Sequence, residues 1–275
     1  MTMDPSILDL IRRGVAEDMP NGDITSEALF TDQRSTAVFY AKEAGVLAGI
    51  EVAKSVFSVI DDSVLFTAFV QDGETLKKGT KIASVSGLTK SILKGERLAL
   101  NFMQRMSGIA TLTRRFVDAV EGTGTKILDT RKTTPTLRRL EKMAVKAGGG
   151  ANHRMSLSDM AMIKDNHIQA AGSIRQAVET VKRKLPFGIL IEVEVETLDQ
   201  YKEALQTPAD VIMLDNMSLE LMAACVKIPH PGKKLEASGN MTLERVPSVA
   251  RTGVDYISVG ALTHSFSSLD ISLKF

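Results

Sequence analysis

The chain has 275 residues, 44% of them hydrophobic and 24% charged, with a formal net charge of +1. That is enough apolar material for one large core or two modest ones, and near-neutrality with few aromatics excludes a dedicated nucleic-acid surface. Apolar runs such as 189–191 and 211–214 are too short to span a bilayer, and a single cysteine, Cys225, excludes an internal disulfide framework.

Residues 4–17 have the pattern of an amphipathic helix, followed by the turn-rich Pro20-Asn21-Gly22-Asp23. Segments 35–40, 46–49, 65–70 and 81–85 read as strands of an antiparallel sheet, with Gly73 and Gly79 as hairpin punctuation. Residues 91–105 are strongly helical, and Ser107-Gly108 reads as a break before a further helix at 109–120. The expectation is a separate α+β domain over residues 1–110, with residues 265–275 packing back on it.

From residue 126 onward the pattern alternates. Apolar runs at 126–128, 160–163, 189–195, 211–214, 235–237 and 256–259 are separated by helical patterns at 136–146, 173–184, 197–205, 218–226 and 242–251. Each helical pattern opens at Thr or Ser, which suits N-cap chemistry. Near-continuous apolar strands between helices imply a parallel sheet buried on both faces. Residues 111–264 therefore read as a barrel related to the (β/α)₈ type but short of eight units, with an open doubly wound sheet as the alternative.

The strand ends carry the chemistry. They read Asp129-Thr130-Arg131, Lys164-Asp165-Asn166, Glu194, Asp215-Asn216, Ser238-Gly239 and Gly260-Ala261, positions that converge on one mouth in a barrel. Between 126 and 167 there are nine Lys or Arg against four Asp or Glu, together with His153 and His167. Because the whole chain nets only +1, this cluster is a local device. Arg131, Lys132, Arg154 and Lys164 sit beside glycines or at the ends of apolar runs, an arrangement suited to a small polyanion. Glu194 and Asp215 are paired carboxylates at neighbouring strand ends, and Glu192 shares the face of Glu194 under period-2 alternation. Cys225 lies in an apolar stretch and reads as buried filler, and four scattered histidines give no zinc spacing. Two other readings stay open at this level: Lys164 as a Schiff-base lysine in an aldolase-type barrel, and a non-catalytic anion-binding module.

Taken together, these residues resemble the quinolinate phosphoribosyltransferase family, the decarboxylating nicotinate-nucleotide pyrophosphorylases. The matching stretches run nearly end to end in the family's order. They are Gly22-Asp23-Ile24-Thr25, Glu96 to Asn101 with Arg105 and Ser107 to Thr111, and Asp129-Thr130-Arg131-Lys132-Thr133-Thr134-Pro135. They continue with Gly148 to Arg154, Ile163-Lys164-Asp165-Asn166-His167, Glu192-Val193-Glu194-Val195, Leu214-Asp215-Asn216, Glu236-Ala237-Ser238-Gly239 and Ser258 to His264. A molybdenum-transport-associated relative of uncertain substrate shares the fold; the intact 164–167 and 133–135 stretches favour the quinolinate enzyme.

The resemblance implies an N-terminal open-faced α/β sandwich followed by an incomplete α/β barrel of the type II phosphoribosyltransferase kind. It implies quinolinate and phosphoribosyl pyrophosphate as substrates and Mg²⁺ as cofactor. Arg131, His153 and Arg154 would grip the quinolinate carboxylates, with Arg105 reaching in from a partner subunit. Lys132 and Lys164 would lie between carboxylates and phosphates. Glu194 and Asp215 would accept hydrogen bonds from the ribose and hold Mg²⁺, directly or through water. Ser238, Gly239, Asn240, Gly260 and Ala261 would surround the 5′-phosphate, with His264 either touching it or closing the C-terminal segment. The implied assembly is a homodimer with shared sites, or a higher oligomer, in the cytoplasm, with no nucleic-acid or membrane partner. Asn240 and Thr136 stand where the family more often has glycine, and Met155-Ser156 where it more often has Leu-Gly.

Overall fold

The computed structural model describes residues 3–275. The chain divides into two compact units. The first takes in the chain up to Arg114, together with Arg139–Gly149 and Phe266–Phe275; the second is Arg115–Arg138 with Gly150–Ser265. The sequence reading drew its line near residue 110 and kept 139–149 with the barrel, whereas the packing assigns that segment to the first unit.

The first unit opens with α1 (Pro5–Asp18), started by Asp4, whose carboxylate accepts the Ser6 N–H at 2.9 Å, and by Pro5, whose fixed φ suits a first helical turn. It buries Ile7 and Ile11. Then come α2 (Ile24–Leu29), capped by Asp23, and β1 (Arg34–Ala41), β2 (Gly45–Val46), α3 (Ile50–Ile60), β3 (Leu65–Ala68), β4 (Thr75–Leu76), β5 (Lys81–Leu88) and α4 (Thr89–Ala119). The C-terminal strand β12 (Ile271–Lys274) completes an antiparallel sheet in the order β12-β1-β5-β3, as the expected return of residues 265–275 requires. Phe39, Phe57 and Phe66 join sheet and α3 with ring centroids 6.0–6.2 Å apart.

Two expectations fail here. The segment 46–49 is not a strand of this sheet: only Gly45–Val46 pairs, with β4, and the chain turns straight into α3. That helix buries Ile50, Val52, Ala53, Val56 and Phe57, an apolar surface too wide to look amphipathic. The break at Ser107-Gly108 is also absent, because α4 is continuous. Glycine is there for space: a Cβ on Gly108 would collide with the Ser267 carbonyl of the returning C-terminal segment.

The second unit contains β6 (Lys126–Leu128), β7 (Ala161–Ile163), α6 (Asp165–Ala171), α7 (Ile174–Lys184), β8 (Ile191–Val195), α8 (Leu198–Leu205), β9 (Val211–Asp215), α9 (Leu219–Lys227), β10 (Lys234–Ser238), α10 (Val246–Ala250), β11 (Tyr256–Ser258) and α11 (Ala261–His264). Between β6 and β7 the chain runs through α5 (Arg138–Ala147), which packs in the first unit from Arg139 onward. All pairings are parallel, in the order β6-β11-β10-β9-β8-β7. From β7 to β11 each unit steps one place in the same direction, and the last strand pairs with the first. A doubly wound sheet reverses direction at a switch point instead. The order is that of a barrel open between β6 and β7, and a parallel bridge from Leu128 to Ala151 begins to fill the gap.

Ser173, Thr197 and Ser218 cap α7, α8 and α9 through their hydroxyls, as the sequence implies. Thr136 does not cap α5: its φ is +69°, and the helix begins two residues later. The pattern at 242–251 is regular helix only over Val246–Ala250, because Thr242 closes a turn with the Arg245 N–H before Pro247 starts α10. No helix among the described residues is long and apolar enough to cross a membrane.

Candidate active site

The C-terminal ends of the parallel strands surround a cavity of about 810 Å³. Every residue to which the resemblance gives a role, except Arg105, lines it: Arg131, Lys132, His153, Arg154, Lys164, Glu194, Asp215, Ser238, Gly239, Asn240, Gly260, Ala261 and His264. The convergence follows from the parallel sheet, in which all strands end on the same side.

The cations are held by main-chain contacts. Arg154 Nη1 donates to the Met160 carbonyl at 3.0 Å, and burial together with the neighbouring Arg131 lowers its pKa, against the pull of Glu192, Glu194 and Asp159. The Lys132 N–H donates to Thr130 Oγ1 at 3.0 Å and its carbonyl accepts from Thr263 Oγ1 at 2.8 Å, fixing β6's exit loop to α11. Gly260 lies where a Cβ would meet the Lys132 stem and His264 Nε2, each at 3.0 Å. Lys164 Nζ donates to Glu194 Oε1 at 2.7 Å, and Asp215 accepts from Asn216 Nδ2 at 2.9 Å.

The loop after β10 contributes Ser238, Gly239 and Asn240 to the same lining. Gly239 has φ +95°, and any Cβ there would collide with the Asn216 side chain. Asn240 adopts φ +49°, a region asparagine tolerates better than most residues, and its Nδ2 donates to Asn216 Oδ1 at 3.3 Å. The substitution of Asn for glycine thus keeps the left-handed turn and adds a cross-loop contact.

Two arginines not picked out from the sequence organise these loops. Arg245 donates to the Gly239 carbonyl at 3.1 Å and the Met217 carbonyl at 2.9 Å, tying the loops after β9 and β10 together. Arg138 donates to Thr133 Oγ1 at 2.8 Å and the Met155 carbonyl at 3.0 Å, bracing the Arg131–Lys132 loop. Both bind mainly carbonyls, which leave no residue-type signal in a sequence.

The floor of the site is polar and buried. Glu192 and Glu194 share a face of β8, but at different depths: the Glu194 side chain is 18% exposed in the cavity wall, while that of Glu192 is 0% exposed below it. Glu194 is therefore the one of the two that opens on the cavity. His153 also turns inward, with Nε2 3.0 Å from Glu192 Oε2 and 3.6 Å from Glu236 Oε2. Ser258 Oγ donates to Glu236 Oε1 at 2.5 Å. Burial first, and then a neighbouring carboxylate, push Glu192 and Glu236 each up to about 8. The expected grip of His153 on a substrate carboxylate meets this geometry: most of its ring faces protein carboxyls, because the strand interior offers the acceptors.

Arg105 belongs to the first unit, on α4, where its guanidinium pairs with the buried Glu141 at 2.5 Å and lies 4.9 Å from the centroid of the Phe266 ring. Cys225 is buried and its thiol is pushed up to about 11, which fits a filler role.

A parallel barrel with fixed cations, two carboxylates and a left-handed Gly-Asn loop at one mouth defines a class of proteins built around small polyanions. Within that class, the models for the N-terminal and C-terminal domains of quinolinate phosphoribosyl transferase match residues 23–107 and 109–274, and the chain belongs to that family. It is 47% identical over 264 residues to the probable nicotinate-nucleotide pyrophosphorylase [carboxylating] of Bacillus subtilis (strain 168), covering 96% of this chain and 91% of that one. It is 44% identical over 288 residues to quinolinate phosphoribosyltransferase [decarboxylating] 2b, mitochondrial, of Nicotiana tabacum, covering 97% of this chain and 81% of that one. Among solved structures, NadC from Streptococcus pyogenes superposes with a TM-score of 0.96 at 41% identity, over 100% of this chain and 98% of the other.

Proposed function

We propose that this protein transfers the phosphoribosyl group of phosphoribosyl pyrophosphate to quinolinate with decarboxylation, yielding nicotinate mononucleotide, CO₂ and pyrophosphate for NAD biosynthesis. The observation that carries the reading is one cavity lined by Arg131, Lys132, Arg154 and Lys164 together with Gly239-Asn240 and Gly260-Ala261. The fixed cations suit ring carboxylates and the glycine-containing loops a 5′-phosphate.

The chemistry needs no nucleophilic side chain. The pyridine nitrogen attacks C1 of the ribose as pyrophosphate departs with the C1–O electron pair. CO₂ then leaves, the electron pair of its C–C bond stays on the ring carbon stabilised by the cationic nitrogen beside it, and a proton adds to that carbon. Arg131 and Arg154 hold the carboxylates, Lys132 and Lys164 offset the repulsion between the two anions, and Glu194 and Asp215 accept from the ribose hydroxyls. Hard carboxylate oxygens at Glu194 and Asp215 suit Mg²⁺, which takes one or two such ligands and keeps several waters. Lys164 already occupies one Glu194 oxygen, so Asp215 is the better direct ligand and Glu194 the better partner through water. When bound, Mg²⁺ supplies charge neutralisation to the leaving pyrophosphate. The reading includes a cytoplasmic homodimer or higher oligomer in which a partner copy lends Arg105.

Incubation with phosphoribosyl pyrophosphate, Mg²⁺ and carboxyl-labelled quinolinate, with nicotinate in a parallel reaction, tests this. Labelled CO₂ and nicotinate mononucleotide from quinolinate alone are expected; product from nicotinate instead overturns the substrate. Mixing Arg105→Ala and Lys164→Ala variants tests sharing, with partial recovery of activity expected after subunit exchange.

A further inference from the structure

Directly beneath the cavity lies a buried cluster of His153, Glu192 and Glu236 that the proposed reaction does not use. The side chains of Glu192, Glu236 and His153 are 0%, 2% and 6% exposed. His153 Nδ1 accepts the backbone N–H of Arg154 at 2.7 Å, so its lone pair is committed. In a neutral ring the proton then sits on Nε2, which faces Glu192 at 3.0 Å and Glu236 at 3.6 Å. Glu236 is in turn held by Ser258 Oγ at 2.5 Å, and the His153 N–H donates to the buried Asp129 at 2.9 Å. The turn that aims Arg154 is thus fixed through the imidazole as well as the main chain.

We propose that Glu192, braced by Glu236, is a positioning residue that holds His153 as the Nε2–H tautomer and thereby sets the direction of Arg154 toward a substrate carboxylate. This role rests on the reaction proposed above. The same three residues offer ligand atoms within 4.8 Å of one another, an arrangement open to a metal ion. A ligating Nε2 must give up its proton, however, while Nδ1 faces a donor and cannot take it. The acceptor role of Nδ1 therefore favours an Nε2–H close to the two carboxyls over a metal.

The test uses the full chain. Long-range ¹H–¹⁵N correlation reads the tautomer without turnover, with the His153 signal assigned by its loss in His153→Gln. An Nε2–H signal is expected in the native chain and a changed tautomer ratio in Glu192→Leu. Kinetically, Glu192→Leu is expected to raise the KM for quinolinate about tenfold or more, the scale of a misaimed substrate contact. The KM for phosphoribosyl pyrophosphate should hold, and Glu192→Gln, which keeps an acceptor, should recover most of the loss. In a His153→Gln background, Glu192→Leu should add no further rise. Multiplying effects in the double variant, equal rises in both KM values, an Nδ1–H tautomer in the native chain, or a stoichiometric metal by elemental analysis would each overturn the proposal. Absence of any quinolinate turnover by the native chain would defeat the reaction instead, and the tautomer measurement would still stand.

Discussion

Lys164 and Glu194, at the ends of the neighbouring strands β7 and β8, form a 2.7 Å ion pair in the wall of the cavity. Their side chains are 44% and 18% exposed, so the pair is screened by water on one side. Such a pair contributes about 0–1 kcal/mol to stability. Its positions at the strand ends fit ligand binding better than scaffolding.

Lys164→Met should therefore separate the two roles. The melting temperature is expected to move by no more than about 4 °C, as a change near 1 kcal/mol implies for a chain of this size. The kcat/KM for quinolinate is expected to fall by roughly 30-fold or more, the effect of removing one partner from a charged contact. A large drop in melting temperature with unchanged kinetics would make the pair structural.

The buried carboxyls predict a pH dependence of stability. Burial raises Glu192 and Glu236 from the ordinary 4.5 to about 8, with Glu194 adding to the rise at Glu192 and Glu192 to that at Glu236. Between those values the native state binds more protons than the unfolded chain, so stability falls as pH rises through that window and levels off above it. Arg154, Lys164, Glu194 and His153 face the same group and tune the midpoint, which belongs to the coupled set. Thermal melts from pH 5 to 8 should show the decline, with a slope approaching about 1.4 kcal/mol per pH unit per proton. Glu236→Gln should flatten it; an unchanged slope in that variant would remove Glu236 as its source.

Thr136 holds a left-handed φ of +69° although it is β-branched. That conformation costs on the order of 1–3 kcal/mol for such a side chain, and glycine avoids it at a smaller entropic cost. Thr136→Gly is expected to raise stability by about 1 kcal/mol, seen as a melting temperature higher by roughly 2–4 °C. A lower melting temperature would show that the threonine side chain makes a compensating contact.

Tyr201 on α8 is fully buried, and among the described residues its hydroxyl has no hydrogen-bond partner. Burial pushes the phenol up to about 12, so it stays neutral at working pH. An unsatisfied buried hydroxyl costs about 1–3 kcal/mol. Tyr201→Phe is therefore expected to stabilise the fold with kinetics unchanged, as read by denaturant titration. A destabilised variant would reveal an internal water bound to the hydroxyl.

The elements that could be read from the chain were those whose neighbours are local. Ser173, Thr197 and Ser218 announce helix starts because the N–H groups that donate to their hydroxyls lie three residues away. α3 was hidden because its apolar surface is broad, and α4 looked broken at Gly108 because the reason for that glycine is Ser267, far along the chain. Arg138 and Arg245 were silent for a similar reason: most of their partners are backbone carbonyls of distant loops.

Sequence alone determined the family, the run of parallel strands and the residues at their ends, since alternation and motif order are properties of the chain itself. Period-2 alternation assigns Glu192 and Glu194 to one face but says nothing of depth. Only the folded sheet, with β11 closing on β6, sets one carboxylate in the cavity wall and the other beneath it. Depth depends on which distant strands pack alongside, and so the direction of the His153 ring and the ionisation of the buried carboxyls were decided by tertiary structure.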